Sequence, residues 1–327
     1  MTSNRRDFLK SIAGSALAVG ATVAWPGAGA LTVLAENPSA RLPSDAAPPG
    51  SFDFVYFTDT HIQPELEAAK GCEMCFQTIA KLQPEFAING GDHVFDVLGV
   101  NGSRANMLFD LYSKTQSALQ MPLHQVVGNH DVFGILTKSG ISPNDPAYGK
   151  KLYQDRLSKP TYYAFQHKGY DFVVLDSIQP TEDRLWEARI DDAQLHWLGA
   201  ELKKTGPTAP VIVITHVPLA SAFASYAEAP GPPPKYATMS VANASEVVGL
   251  FAGHNIVAVL QGHLHINEIV SYKDTQYITN GAVCGNWWHG PRMGVPEGFT
   301  VVSLRKGKMT TRYETYGFQS VDPREKF

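Results

Sequence analysis

The feature that most limits how this chain can fold is a set of short apolar runs, each closed by polar residues. FDFVYF (52–57) ends in TDTH and FAING (86–90) in GDH. The Val126-Val127 run ends in GNHD, VIVIT (211–215) in a histidine, and IVAVLQ (256–261) in GHLH. Runs rich in Val, Ile and aromatic residues, bounded by Gly and polar residues, read as buried strands. Segments with helical periodicity lie between them, over about 64–82, 103–119, 191–206 and 243–255. Asp191 or Asp192 is the expected N-cap of the third helix and Gly206 its stop. The Asn243 to Glu246 spacing suggests a capping box on the fourth. Residues 161–177 read as a hairpin turning at Lys168-Gly169, and strands near 276–279, 298–304 and 308–313 close the chain. This alternation predicts one α/β domain with mixed sheets over residues 51–327. In such folds the C-terminal ends of strands gather at one sheet edge, where ligand sites form. Polar residues spread from 59 to 265 can therefore converge.

Charge and cysteine content exclude some functions. The formal net charge is -4, without the basic footprint of a nucleic-acid binder. Three cysteines cannot make a disulfide framework. Cys72 and Cys75 form a CxxC, but GCEMCFQTIAKL reads as a helix with Phe76, Ile79 and Leu82 on one stripe. A lone CxxC in that setting is read as two helix-face thiols, and Cys284 as a small buried residue.

The first 30 residues do not read as part of the fold. Arg5-Arg6 precedes Phe8-Leu9-Lys10, a weakly apolar Ala/Gly-rich segment follows, and Ala28-Gly29-Ala30 offers small residues for cleavage. The segment resembles a bacterial twin-arginine export signal. Its apolar stretch is short for a membrane span, which needs about 20 residues. The expectation is export by the twin-arginine machinery to the periplasm or beyond, with no stable membrane association after cleavage. Removal takes away Arg5, Arg6 and Lys10 against one Asp7, leaving a more acidic chain. Residues 31–50, rich in Pro, Ala and Ser, read as a linker.

Each polar strand end alone is a weak signal, since a DxH or a GNH is commonly a turn or a cap. Five in this order are not. Together they resemble the calcineurin-like metallophosphoesterase superfamily, whose D-x-H, G-D, G-N-H-D/E, H and G-H-x-H motifs stand here complete and in sequence. The resemblance implies two mixed β-sheets packed as a sandwich flanked by helices. It implies two metal ions, one held by Asp59, His61 and His265, the other by Asn129, His216 and His263, with Asp92 bridging. Two cations so close need a shared anionic ligand, and O and N donors without thiolate suit Fe, Mn or Zn. The implied reaction is hydrolysis of a phosphate ester by a hydroxide bridging the metals, attacking phosphorus in line. His130 would serve the leaving group as general acid, with Asp131 holding its other ring nitrogen; Asp96 competes for that role.

Departures from relatives narrow the expectation. GDHVFDV (91–97) lacks the arginine of the protein phosphatase motif GDxVDRG, which disfavours a protein phosphatase. Phe95 stands where purple acid phosphatases carry a metal-binding tyrosine. The motif style is nearest to bacterial cyclic-nucleotide phosphodiesterases, so a small phosphate ester is the expected substrate, with diesters favoured over monoesters. A metal-stabilised binding module without turnover and a nuclease of the same superfamily are the competing readings; the acidic balance counts against the nuclease. Beyond the motifs, His93 is a candidate substrate contact. Trp287, Trp288, His289 and Arg292, in the loop GNWWHGPR, are candidates to wall the pocket. The Pro-rich stretch 224–239 is a candidate rim.

Overall fold

A computed structural model describes residues 49–157, 159–227 and 234–324. Residues 1–30, read above as an export signal, most of the expected linker (31–48) and part of the Pro-rich stretch lie outside the described residues. Among the described residues no helix is long and apolar enough to cross a membrane.

Two mixed sheets carry the fold. In the first, β1 (Phe52–Phe57) runs parallel to β2 (Phe86–Asn89), and β2 to β3 (Leu123–Gln125). The C-terminal strands β12 (Gly298–Arg305) and β13 (Lys308–Thr315) add antiparallel to β1, giving the order β13-β12-β1-β2-β3. In the second, β5 (Tyr170–Val174), β8 (Val211–Ile214), β9 (Ile256–Gln261) and β11 (Thr275–Thr279) are parallel. Its edges are the antiparallel β4 (Tyr163–His167) and β10 (Glu268–Tyr272), in the order β10-β11-β9-β8-β5-β4. A small hairpin of β6 (Ile178–Pro180) and β7 (Trp186–Ala188) stands apart.

Alternation along the strands sets the layering. Phe52, Phe54 and Tyr56 of β1 face Phe172, Val174, Ile212 and Leu260 of the other sheet, in one apolar cluster. Phe54 stacks on Phe86 at 5.0 Å and meets Phe172 edge-on at 5.6 Å. The opposite faces of both sheets are covered by helices, so Val55 and Phe57 pack in a separate cluster with Phe76 and Ile79 of α1 (Ala68–Leu82) and Leu108 and Phe109 of α2 (Gly102–Gln116). Each fully buried aromatic or aliphatic side chain contributes about 1.5–3 kcal/mol. The second sheet is covered by α4 (Asp192–Thr205) and α6 (Ala244–Leu250) through Leu198, Leu202 and Val247. Two short helices, α3 (Lys151–Leu157) and α5 (Phe223–Ala227), and the strands β6, β7 and β10 have no counterpart in the sequence reading.

Three local expectations resolve differently. Leu66 and Glu67 are left-handed, so α1 begins at Ala68 rather than at residue 64. Asp191, not Asp192, caps α4, accepting from Gln194 N at 2.8 Å, and Gly206 ends that helix. Asn243 precedes α6 but makes no side-chain cap; its amide bonds both the N–H and the carbonyl of Ile190. A long-range partner outweighed the local cap because it satisfies two buried backbone groups at once.

Cys72, Cys75 and Cys284 are all buried and unpaired by disulfides, and burial pushes each thiol well up. That is the behaviour of packing residues, not of a redox pair.

Candidate metal centre

Register brings the five polar strand ends level. Phe57 pairs with Asn89, Asn89 with Gln125, and Ile214 with Leu260, so the chain leaves both sheets at one edge. The exits are tight. Asp59, His61, Asp92, His263 and His265 all have left-handed backbones, with φ from 38 to 70°. Backbone of that kind at non-glycine residues costs about 1–3 kcal/mol each and concentrates at functional sites. Gly128 and Gly262 let the turns approach: a Cβ on Gly128 would collide with the amide and Oδ1 of Asp92, and one on Gly262 with the Thr58 hydroxyl.

Six of the seven residues named from the motifs as ligands come together, and the seventh, Asn129, follows Gly128, which packs against Asp92. His61 Nε2 and His265 Nε2 lie 3.2 Å apart, and His265 Nε2 lies 3.3 Å from Asp59 Oδ1. Asp92 Oδ2 is 3.5 Å from His61 Nε2 and 3.1 Å from His216 Nε2. His263 joins Asp92 and His216 in a second group, and His130 reaches the group of His61 and Asp92. The rings of His216 and His263 are 5.2 Å apart, and Asn129 Oδ1 and His263 Nε2 are both buried without a partner.

The hydrogen bonds around Asp59, Asp92, His216 and His265 leave one atom of each facing the cluster. Asp59 Oδ2 accepts from the Thr58 hydroxyl at 2.7 Å and from His263 N at 3.0 Å, whereas Oδ1 has no partner. Asp92 Oδ1 accepts from His130 N at 2.8 Å, leaving Oδ2 toward the histidines. His216 Nδ1 donates to Gly90 O at 2.9 Å and His265 Nδ1 to Gly285 O at 2.6 Å. With Nδ1 protonated, each Nε2 presents a lone pair, the arrangement that orients a histidine toward a metal. Asp59 Oδ1, Asn129 Oδ1, His216 Nε2 and His263 Nε2 are buried without partners. Orphaned polar atoms of this kind are rare in native interiors. Cations among them would satisfy them all, so the donor set fits two metal ions.

Electrostatics agree. Burial pushes His61 down to about 4 and His263 down to about 3, so both rings are neutral near pH 7. Burial also opposes charge on His216, but the Asp92 carboxylate beside it prevails and carries it up to about 9. Burial likewise works against the Asp59 carboxylate, yet the His265 and His61 rings hold it well below the usual range. Two buried carboxylates demand positive charge, and protons on histidine supply it where no cation is bound.

Several expected roles are corrected. Asp131 does not touch the His130 ring. Its carboxylate accepts from Gly128 N (2.9 Å), Asp92 N (3.0 Å), His93 N (2.9 Å) and His93 Nδ1 (2.8 Å). Asp96 turns away to Lys138, and His130 Nδ1 has no partner among the described residues. His93 is fully buried against the rings of Tyr112 and Tyr153, with its Nδ1 on Asp131. Trp288 is also buried, its Nε1 donating to His61 O at 3.1 Å, so it is a packing anchor. His289 is tied to Asp322 through Nδ1 at 2.9 Å. Of the loop candidates, Trp287 lies beside the centre, its ring 4.7 Å from that of His265, with Arg292 over it.

Sequence reasoning missed Thr58, whose hydroxyl steers Asp59, and the carbonyls of Gly90 and Gly285. It also missed Trp186, edge-on to His263 at 5.8 Å. Thr58 adjoins a ligand and was within reach of inspection; Trp186, in a two-stranded hairpin, carried no signal. Phe95, at the tyrosine position, lies 6.3 Å from both the His61 and His130 rings and offers no oxygen.

A two-sheet sandwich with a buried N/O donor cluster at the strand ends defines the class, and comparison with known proteins agrees. The profile of the calcineurin-like phosphoesterases matches residues 52–267. A curated bovine (Bos taurus) protein, serine/threonine-protein phosphatase CPPED1, is 26% identical over 247 residues, covering 74% of this chain and 71% of its own. A dimetal phosphatase from Danio rerio superposes with a TM-score of 0.60 at 15% identity, covering 83% of this chain and 97% of its own. A purple acid phosphatase, PPD1, from yellow lupin (Lupinus luteus) superposes with a TM-score of 0.50 at 13% identity, covering 84% of this chain and 53% of its own. This chain belongs to the calcineurin-like phosphoesterases. It is a metal-dependent phosphoesterase, a hydrolase of phosphate ester bonds.

Proposed function

We propose that this chain hydrolyses small phosphate esters, diesters in preference to monoesters, using two transition metal ions of the Fe, Mn or Zn type. Asp59, His61 and His265 hold one ion, Asn129, His216 and His263 the other, and Asp92 lies between. The observation that carries this reading is the convergence of buried donor atoms without partners, with the other polar atom of Asp59, Asp92, His216 and His265 held by a hydrogen bond. The chemistry supplied by two bound cations is neutralisation of phosphate charge and a water acidified toward neutrality. The protein's own part is to hold the donors rigid and to move a proton. We assign that transfer to His130. Its backbone N is pinned to Asp92 Oδ1, and its ring sits 4.6 Å from that of His61. Among the described residues no carboxylate steadies its Nδ1, and packing among His61 and Phe95 orients the ring.

Purified protein loaded with Mn, Fe or Zn tests this against aryl mono- and diesters, cyclic nucleotides and phospholipid headgroups. Hydrolysis with a diester preference is the expected result; no turnover with any metal would leave a binding module. A second reading, dephosphorylation of phosphoserine or phosphothreonine in a protein, is favoured by the name of the bovine relative. A phosphopeptide in the same panel, cleaved faster than every diester, would replace the first reading with this one.

We further propose export by the twin-arginine machinery to the periplasm or extracellular space, on the strength of Arg5-Arg6 and the Ala/Gly-rich segment after it. Cell fractionation checks this: Arg5→Lys with Arg6→Lys should hold the chain in the cytoplasm.

A further inference from the structure

We propose that Arg292 forms a second anion subsite beside the metal centre, so that the preferred substrate is a phosphate ester whose esterifying group carries its own carboxylate or phosphate. This rests on the hydrolytic reading above and narrows it.

Arg292 is pinned at three levels. Its backbone N–H donates to Val295 O and Val295 N–H donates back to Arg292 O, both at 2.9 Å, closing a tight turn. Its Nε donates to Leu264 O at 3.0 Å. Leu264 is the residue between His263 and His265, so the guanidinium hangs on the backbone of the GHLH motif itself. Its Cζ lies 5.1 Å from the centroid of Trp287, and that ring lies 4.7 Å from His265 and 6.1 Å from His61. Arg292, Trp287 and the metal-binding histidines thus form a chain of neighbours from a fixed cation to the reacting centre.

Among the described residues the cation has no counter-ion. Arg104, Arg156, Arg305, Arg312 and Arg324 each pair with a carboxylate. Arg184 spends its guanidinium on backbone carbonyls of residues 134–141. Arg189, also part-buried, shares the lack of an ion pair among the described residues, but only Arg292 of the two is fixed by a bond from its Nε. Arg292 has no carboxylate within ion-pairing distance among the described residues, and only its Nε is bonded. A half-buried guanidinium that keeps both terminal nitrogens unspent is a prepared fork for an oxyanion, because planar bidentate pairing suits carboxylate and phosphate alike. Its orientation is set before ligand arrives, so little side-chain entropy is lost on binding. The indole between it and His265 gives a flat wall along which the esterifying group can lie.

Metal-loaded protein is assayed with 4-carboxyphenyl, 4-phosphonophenyl and neutral 4-carbamoylphenyl phosphates, as monoesters and as methyl diesters. The carbamoyl compound matches the carboxylate in shape, isolating charge. The expected result is a kcat/KM about tenfold or more higher for the anionic esters, carried mainly by KM. That ratio collapses to about one in Arg292→Gln and is partly kept in Arg292→Lys, which retains charge but not the fork. The two anionic arms show whether carboxylate or phosphate fits better. A wild-type ratio near one, or a ratio that survives Arg292→Gln in protein with an unshifted melting temperature, overturns the subsite. Calorimetry with 4-carboxybenzylphosphonate against 4-carbamoylbenzylphosphonate reads the subsite without turnover. An Arg292-dependent preference there, with no ester hydrolysed, would sink the hydrolytic reading and leave the subsite standing.

Discussion

Replacing Asp131 by alanine should unfold this protein at markedly lower temperature, and the cause lies in what its carboxylate holds. The side chain is fully buried. It accepts from the backbone N–H groups of Gly128, Asp92 and His93 and from the His93 ring, all between 2.8 and 3.0 Å. Alanine strands these four donors in the interior. Each unsatisfied buried donor costs about 1–3 kcal/mol. Neighbouring donors do not add independently, and water entering the vacated space recovers part. A net loss of about 3–6 kcal/mol is expected on those grounds. At roughly 2–4 °C per kcal/mol for a domain of this order of size, the midpoint should drop by about 10 °C or more. Thermal unfolding followed by circular dichroism measures it, and elemental analysis should show weakened metal retention, because three of the four donors belong to Asp92 and its neighbour His93. Asp131→Asn should fall in between, since its amide turns N–H toward N–H. If the residue instead steadied His130, the variant would lose turnover while keeping its melting temperature and its metal. A midpoint within about 2 °C of wild type would refute the argument from burial and unpaired donors.

Asp92→Asn and His265→Ala should lose hydrolysis and bound metal together, read by activity and elemental analysis, because each supplies a free ligand atom to the cluster. His130→Ala should keep its metal and lose turnover, most on esters with poor leaving groups; full activity on such an ester would remove the proton-transfer role. Gly128→Ala should cost about 1–3 kcal/mol of stability and most of the metal, since the new methyl meets the Asp92 amide and Oδ1. His124 gives a pH dependence outside the centre. Burial, with smaller contributions from Lys159 and His167, pushes it down to about 4, against about 6.5 in an unfolded chain. The unfolded state therefore takes up the proton first, so His124 lends stability above pH 6.5 that is lost as pH falls toward 4. Denaturant unfolding across that range should show a flatter profile for His124→Phe.

The donors of the centre were legible because each stands beside a glycine or at the end of an apolar run, and parallel strands bring their C-terminal ends to one edge. Partners were not legible in the same way. Asp131 and Asp96 both lay near His130 in sequence, but the short turn over Asn129–Asp131 folds the Asp131 carboxylate back onto Gly128 N. Asp96, itself left-handed, points to Lys138. The GNWWHGPR loop shows the same limit, since one tryptophan faces His265 and its neighbour is buried against α1 and Phe318.

Sequence alone determined the layered α/β class, the strand ends that carry polar residues and the chemical identity of the donors, because periodicity and residue type are local properties. Tertiary structure alone decided which atom of each donor is free. That choice depends on distant groups: the Gly90 carbonyl on His216, Gly285 on His265, Thr58 and His263 N on Asp59. It likewise decided that Asp131 binds backbone, and that Arg292 has no counter-ion among the described residues and is pinned to the carbonyl between His263 and His265. A hydrogen bond is made to whatever the fold brings near, and the fold brings together residues that the chain keeps up to 253 positions apart.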